Sequence, residues 1–208
     1  MDLQYCGGNC VVLNAKGARL VVDDTLASLG VKGVVRSGDI ALFTSKHTGG
    51  LLDTKITIDS PGEYEVSNVS ITGIPARSHL DEEGTHAVTM YKVAVGDMTF
   101  LFTGNIYPSL DDDQLEIIGM VDVMIVPVGG NGYTLDPVGA LKLIKDVDPK
   151  VIIPVHYDDK ALKYEVPQQT LEQAVHGLGM EPRETVQKLK LKAAELSDVT
   201  QLIVIERS

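Results

Sequence analysis

Tryptophan is absent from this chain, and its 208 residues include only two cysteines, three phenylalanines and 18 basic side chains. Cys6 and Cys10 are too few for a disulfide framework, and neither sits in a CxxC pair or beside a histidine at zinc spacing. They are expected as buried, reduced thiols on either side of a turn, with a disulfide or thiolate metal site as the lesser alternative. The basic side chains are outnumbered by 29 acidic ones, giving a formal charge of -11 that repels phosphate backbones and anionic membranes on average. Nucleic acid is therefore not an expected partner, and the acidity itself suits solubility without naming a substrate. No run approaches the roughly 18 apolar residues that span a bilayer. The opening Met1-Asp2-Leu3-Gln4-Tyr5 has no basic n-region. No membrane partner and a cytoplasmic location are the expectations.

What is present suits a globular protein: 44% hydrophobic and 23% charged residues, with no repeat or low-complexity segment. Residues 1–208 are read as one domain. Val11-Val12-Leu13 and Arg19 to Val22 flank a polar turn and predict an opening hairpin. Asp39 to Thr44 reads as a buried strand that delivers the loop Ser45-Lys46-His47-Thr48-Gly49-Gly50. Strands and turns then alternate through Ile74, and two more strands, Ala87 to Val93 and Thr99 to Phe102, meet through Gly96-Asp97. From Asp111 the periodicity becomes helical. Helices are predicted after Asp111, after Asp136-Pro137 and from Pro167, separated by the buried runs Val123 to Val126 and Val151 to Val155. Val186 to Leu191 and Gln201 to Ile205 read as closing strands. The expected class is a mixed α/β sandwich.

Four segments carry a resemblance to a known family: Ser60-Pro61-Gly62-Glu63-Tyr64-Glu65-Val66, Val121 through Gly130, Tyr133-Thr134-Leu135-Asp136, and Val151-Ile152-Ile153-Pro154-Val155-His156-Tyr157. In this order and spacing the chain resembles the metallo-β-lactamase superfamily, in particular its small metal-dependent hydrolases. The resemblance implies an αββα sandwich: two sheets face to face, helices on both outer faces, and a two-metal cleft at one edge. That chemistry needs two cations about 3.5–4 Å apart sharing a water made nucleophilic near neutral pH.

The ligand set the resemblance implies is poorly kept. The family's His-x-His-x-Asp-His loop falls on Ser45, His47, Gly49 and Gly50, so only His47 remains a histidine. The next family histidine falls on Ser78; His79 stands one residue late, on the opposite face of an extended segment, and ligates only if the loop is re-threaded. The bridging aspartate falls on Asn105, which keeps the shape and loses the charge. The last ligand position keeps His156. Gly8 stands where the family commonly has histidine, and Asp23-Asp24 replaces a usual Asp-Pro.

His47 and His156 are thus read either as vestigial ligands or as hydrogen-bonded loop residues, with Asn105 and His79 as weak candidates and Ser45, Gly49, Gly50 and Ser78 as lost positions. No catalytic residue and no organic cofactor is expected; weak zinc or manganese binding stays open. His86 and His176 are read as surface residues. Gly129-Gly130-Asn131-Gly132 is read as a turn before an anion cradle, and Asp111-Asp112-Asp113 as helix N-terminal charge. Two functions follow. The first is a non-catalytic binding, scaffold or assembly protein, with homo-oligomers expected from the resemblance. The alternative is a remodelled hydrolase of a phosphoester, lactone or similar ester, holding one metal with His47, His156 and recruited groups such as His79, Asp158 or Asp159.

Overall fold

A computed structural model describes residues 1–208 as two β-sheets laid face to face. In the first, β1 (Asp2–Gly7), β2 (Cys10–Ala15) and β3 (Ala18–Val22) form an antiparallel meander in which Leu13 lies opposite Leu3 on one side and Leu20 on the other. Successive side chains of a strand point to opposite faces. Leu3, Tyr5, Val11, Leu13, Leu20 and Val22 therefore enter the core between the sheets, while Cys6, Cys10, Val12 and Val21 form a second apolar face. β4 (Ile40–Leu42) and β5 (Ile56–Ile58) extend this sheet in parallel.

The second sheet begins as another meander, β6 (Gly62–Val66), β7 (Val69–Ala76), β8 (Val88–Val95) and β9 (Met98–Phe102). It continues in parallel through β10 (Val123–Pro127) and β11 (Val151–Val155). Both are buried along their whole length, which is why they read as unbroken apolar runs. Three helices accompany this half: α1 (Asp112–Ile118), α2 (Pro137–Val147) and α3 (Leu171–Leu178). α2 and α3 bring Ala140, Leu143, Ile144, Ala174 and Leu178 into a core cluster of 47 buried residues that spans both sheets. Asp136 caps α2 through a 2.7 Å bond from the Gly139 amide, and Pro137 follows as its first residue. Asp111 caps α1 reciprocally with Gln114, so the acidic run there acts at a helix start.

The arrangement is αββα-like, with three departures from the sequence reading. The outer face of the first sheet is covered by the non-helical segment 23–39, whose Leu26, Val31, Val34 and Val35 pack on Cys6, Cys10, Val12 and Val21. Asp24 holds that segment in place by accepting from the amides of Val34 and Val35 at 2.6 and 2.7 Å. α3 starts at Leu171, not at Pro167, because Thr170 and Gln173 form a reciprocal cap. The run expected as one strand from Val186 to Leu191 breaks in two. β12 (Pro182–Val186) lies parallel to β14 (Gln201–Ile205) in the second sheet, whereas β13 (Leu189–Lys190) crosses to pair with β1 in the first.

Candidate functional site

A cavity of about 450 Å³ opens where β3, β4, β9 and β11 end. Loops beyond buried strand ends are where folds of this kind assemble sites. Asp23 follows β3, with its backbone in the left-handed region at φ 50°. Its carboxylate accepts from the amide and from the hydroxyl of Thr44, both at 2.7 Å. Thr44 in turn accepts from the Thr89 amide at 2.8 Å, tying the loop after β4 to the second sheet. Burial pushes the Asp23 carboxyl up to about 6, and the two Thr44 bonds offset only part of that rise.

The floor of the cavity is a chain of uncharged side chains. Asn105 Oδ1 accepts from Asn9 Nδ2 at 2.9 Å and from Thr134 Oγ1 at 2.7 Å. Asn9 Oδ1 lies 3.2 Å from His156 Nδ1. Because Asn9 spends its amino group on Asn105, its oxygen is the acceptor, which makes His156 Nδ1 the protonated nitrogen. His156 is held further by its backbone N–H, which donates to the Gly8 carbonyl at 2.8 Å, and by stacking on Tyr164 with ring centroids 5.2 Å apart. Burial is the one cause that lowers its pKa, to about 4, and no carboxylate counters it. His156 is therefore a neutral imidazole at physiological pH.

His47 lines the same cavity from the rim. Its ring lies over Phe43 with centroids 4.3 Å apart, and Nε2 is 3.2 Å from the Gly50 carbonyl, so the side chain folds back on its own loop. A side chain at Gly49 would meet it, since a Cβ there would lie 2.7 Å from His47 Cε1. Ser45 and Gly49 also line the cavity, whereas Gly50 does not.

The remaining candidates lie elsewhere. Ser78 turns to its own loop, its amide donating to Asp81 Oδ2 at 2.9 Å and its hydroxyl accepting from the Leu80 amide at 3.4 Å. His79 lines a separate cavity of about 730 Å³ with Tyr107 and Asp136. Asp159 pairs with Arg207, and neither it nor Asp158 lines the first cavity. The recruited groups of the hydrolase alternative are thus not brought together with His47 and His156. His86 and His176 are exposed. Gly129 to Gly132 is a turn whose backbone is already engaged, Gly130 N–H donating to the Leu135 carbonyl and Gly129 carbonyl accepting from Gln169. Asn9 and Thr134 are the two members that reading ligand positions missed. Their signal was present, as polar residues inside buried segments next to motif positions.

Two sheets face to face with a loop-built cleft at the strand ends define a metallo-β-lactamase fold, here with a degenerate metal site. The chain belongs to the β-lactamase superfamily: the family described as beta-lactamase superfamily domain matches residues 2–156. A UPF0173 metal-dependent hydrolase of Pyrococcus horikoshii is 26% identical over 152 residues, which is 71% of this chain and 65% of that protein. A UPF0173 metal-dependent hydrolase of Carboxydothermus hydrogenoformans is 40% identical over 68 residues, 33% of this chain and 30% of that protein. The matches thus span less than two thirds of these relatives. Among solved structures, a metallo-β-lactamase superfamily protein of Thermotoga maritima superposes with a TM-score of 0.78 at 24% identity, covering 99% of this chain and 98% of the other.

The fold family implies a two-metal centre, and the residues present do not fit one. Nowhere do three or more His, Cys, Asp or Glu side chains converge as a metal site would need. Asn105, which the resemblance sets at the bridging position, is neutral and its oxygen already accepts two hydrogen bonds. His47 Nε2 and His156 Nδ1 are likewise engaged with protein groups.

Proposed function

We propose that the chain is a non-catalytic member of its superfamily, folded as one domain and used for binding, scaffolding or assembly. One observation carries this reading: Asn105 and His156, two of the ligand positions the resemblance implies, are joined through Asn9 and Thr134 in a neutral network instead of opening onto a cation. Each of the two histidines has one ring nitrogen in a structural bond, and their remaining nitrogens together fall short of the three protein donors a tightly held zinc requires. Asn105 adds no charge, and Ser45 and Ser78 would have to ionise to replace imidazole. In this reading His47 and His156 are vestigial ligands. The hydrolase alternative loses support because His79 opens on another cavity and Asp158 and Asp159 lie away from the cleft.

A cytoplasmic setting agrees with two cysteines kept as thiols. A homo-oligomer is part of the proposal on the strength of the family resemblance alone. The charge of -11 speaks against nucleic acid as a partner.

The test is elemental analysis of the purified protein after dialysis, beside a variant carrying Ser45→His, Gly49→Asp, Gly50→His, Ser78→His and Asn105→Asp. The natural protein is expected to hold less than one tightly bound zinc per chain and to show no metal-dependent esterase or phosphodiesterase turnover. Metal appearing only in the restored variant supports the reading. Stoichiometric zinc or manganese in the natural protein overturns it.

A further inference from the structure

Cys6 and Cys10 take no part in the cleft network, yet they bracket the turn that anchors it. Between them lie Gly7, Gly8 and Asn9. Asn9 bonds both Asn105 and His156, and the Gly8 carbonyl accepts the His156 backbone N–H. Whatever moves this turn moves the floor of the cavity.

The hairpin register brings the two sulfurs together. Tyr5 faces Val11, so regular pairing would set Cys6 opposite Cys10; a bulge instead pairs Gly7 with Cys10, and Cys6 and Gly7 together oppose it. Facing strand positions have Cα atoms about 4.5–5.5 Å apart. That lies inside the roughly 4.4–6.8 Å a disulfide spans. Both thiols are free and point to the same face, packed in one cluster with Val12, Val21 and Leu26. Gly7 and Gly8 hold φ of 117° and 57°, a conformation that leaves the connecting turn without side-chain obstruction of its own. Ser208 Oγ lies 3.8 Å from Cys6 Sγ; the neighbouring Cys10 thiol and Ser208 draw Cys6 down to about 7, while the Cys6 thiol and burial raise Cys10. Cys6 is the nucleophile of the pair.

We propose that Cys6 and Cys10 form an oxidisable dithiol at which a small peroxide closes a disulfide across the Gly7–Asn9 turn, shifting the anchor of the cleft. In the first step Cys6 thiolate attacks one peroxide oxygen and the O–O bond breaks. The departing hydroxide takes a proton and leaves as water, and Cys6 becomes a sulfenic acid. Cys10 sulfur then attacks Cys6 sulfur, the S–O bond breaks, and the second hydroxide leaves as water with the Cys10 proton. Two thiols are oxidised by two electrons in total, and the peroxide is reduced to two waters.

The experiment treats the reduced full-length chain with hydrogen peroxide and follows intact mass, free thiols and peptide cross-links, with the His156 ring resonances recorded before and after. The expected result is a mass loss of two hydrogens, simultaneous loss of both thiols, a Cys6–Cys10 linked peptide reversed by dithiothreitol, and displaced His156 resonances. Cys10→Ser is expected to stop at a sulfenic acid on Cys6 that a dimedone probe captures. Oxygen gained without a cross-link, or cross-links only between chains, overturns the dithiol. Unmoved His156 resonances in the disulfide form overturn its coupling to the cleft, and an unreactive Cys6 in Cys10→Ser overturns the order of attack.

Discussion

Acidification from pH about 7 to about 4 is expected to leave the stability of the natural protein nearly flat, because two buried groups of the cleft act in opposite directions. His156 is held neutral by burial, its pKa lowered from the ordinary 6.5 to about 4. Below 6.5 the unfolded chain takes up the proton first, so stability present above that value is lost as pH falls toward 4. At about 1.4 kcal/mol for each tenfold change in proton affinity, this costs about 3 kcal/mol. Asp23 is raised by burial from 3.8 to about 6, so the folded chain takes up its proton first. Its contribution is present below 3.8 and lost as pH rises through 6; acidification over that window therefore gains about 3 kcal/mol. The lowered carboxyls of Asp2 and Asp59 act chiefly below the ordinary 3.8 and do not disturb the balance. Two substitutions separate the terms. His156→Asn suits a backbone at φ 55° and removes the first, so its stability should rise by about 3 kcal/mol on going to pH about 4. Asp23→Asn, also at a left-handed position, should fall by about as much. Urea denaturation followed by circular dichroism across this range reads both slopes. A profile as flat as that of the natural protein in either variant refutes the reasoning.

Gly104→Ala should cost about 3 kcal/mol or more, because the new Cβ would lie 2.4 Å from Thr44 Oγ1, a side chain fixed by Asp23, on a backbone at φ 62°. Chemical denaturation checks it, and a loss below about 1 kcal/mol would contradict the packing described. Gly129→Ala should prevent stable folding, its Cβ falling 2.1 Å from Gln168 Oε1 and 2.2 Å from the His156 carbonyl. Gly132→Ala in the same turn meets open space at φ 75° and should cost only about 1 kcal/mol, so equal losses at the two positions would shift the requirement from packing to backbone freedom.

Elements with strong local signals were readable before any coordinates. Asp136-Pro137 announced α2, Gly96-Asp97 announced the β8–β9 hairpin, and the apolar runs of β10 and β11 announced parallel strands covered on both faces. Non-local structure was not readable in the same way. Segment 23–39 has no apolar periodicity, and its role as an outer layer arises from Asp24 bonding two amides ten and eleven residues on. Pro167 was a weaker helix signal than the cap pair Thr170 and Gln173, a pattern of hydroxyl and amide three residues apart that the proline obscured. At the site, the resemblance proposed ligand positions, and Asn9 and Thr134 stood beside them as polar residues without any indication of what they would bond. Their partners became visible only when the hairpin and the loop before α2 were folded against β9 and β11.

The loss of charge in this cleft has a physical order. A carboxylate that bridges two dications is stable in a buried site because the cations supply its counter-charge. Without them the same group becomes an unpaired buried anion, which costs several kcal/mol. Asparagine at position 105 carries no such penalty, and Asn9 and Thr134 supply the two donors its oxygen needs. His156 can stay because a neutral imidazole needs no counter-ion, and its Nδ1, its backbone amide and its ring face each have a partner. His47 stays for a simpler reason, since at the rim its ring rests on Phe43 and its Nε2 on its own loop. Replacing Asn105 alone by aspartate therefore adds an anion before there is a cation to meet it. Joint substitution at Ser45, Gly49, Gly50, Ser78 and Asn105 adds donors together with that charge, so the five-fold variant tests the cleft more directly than Asn105→Asp alone.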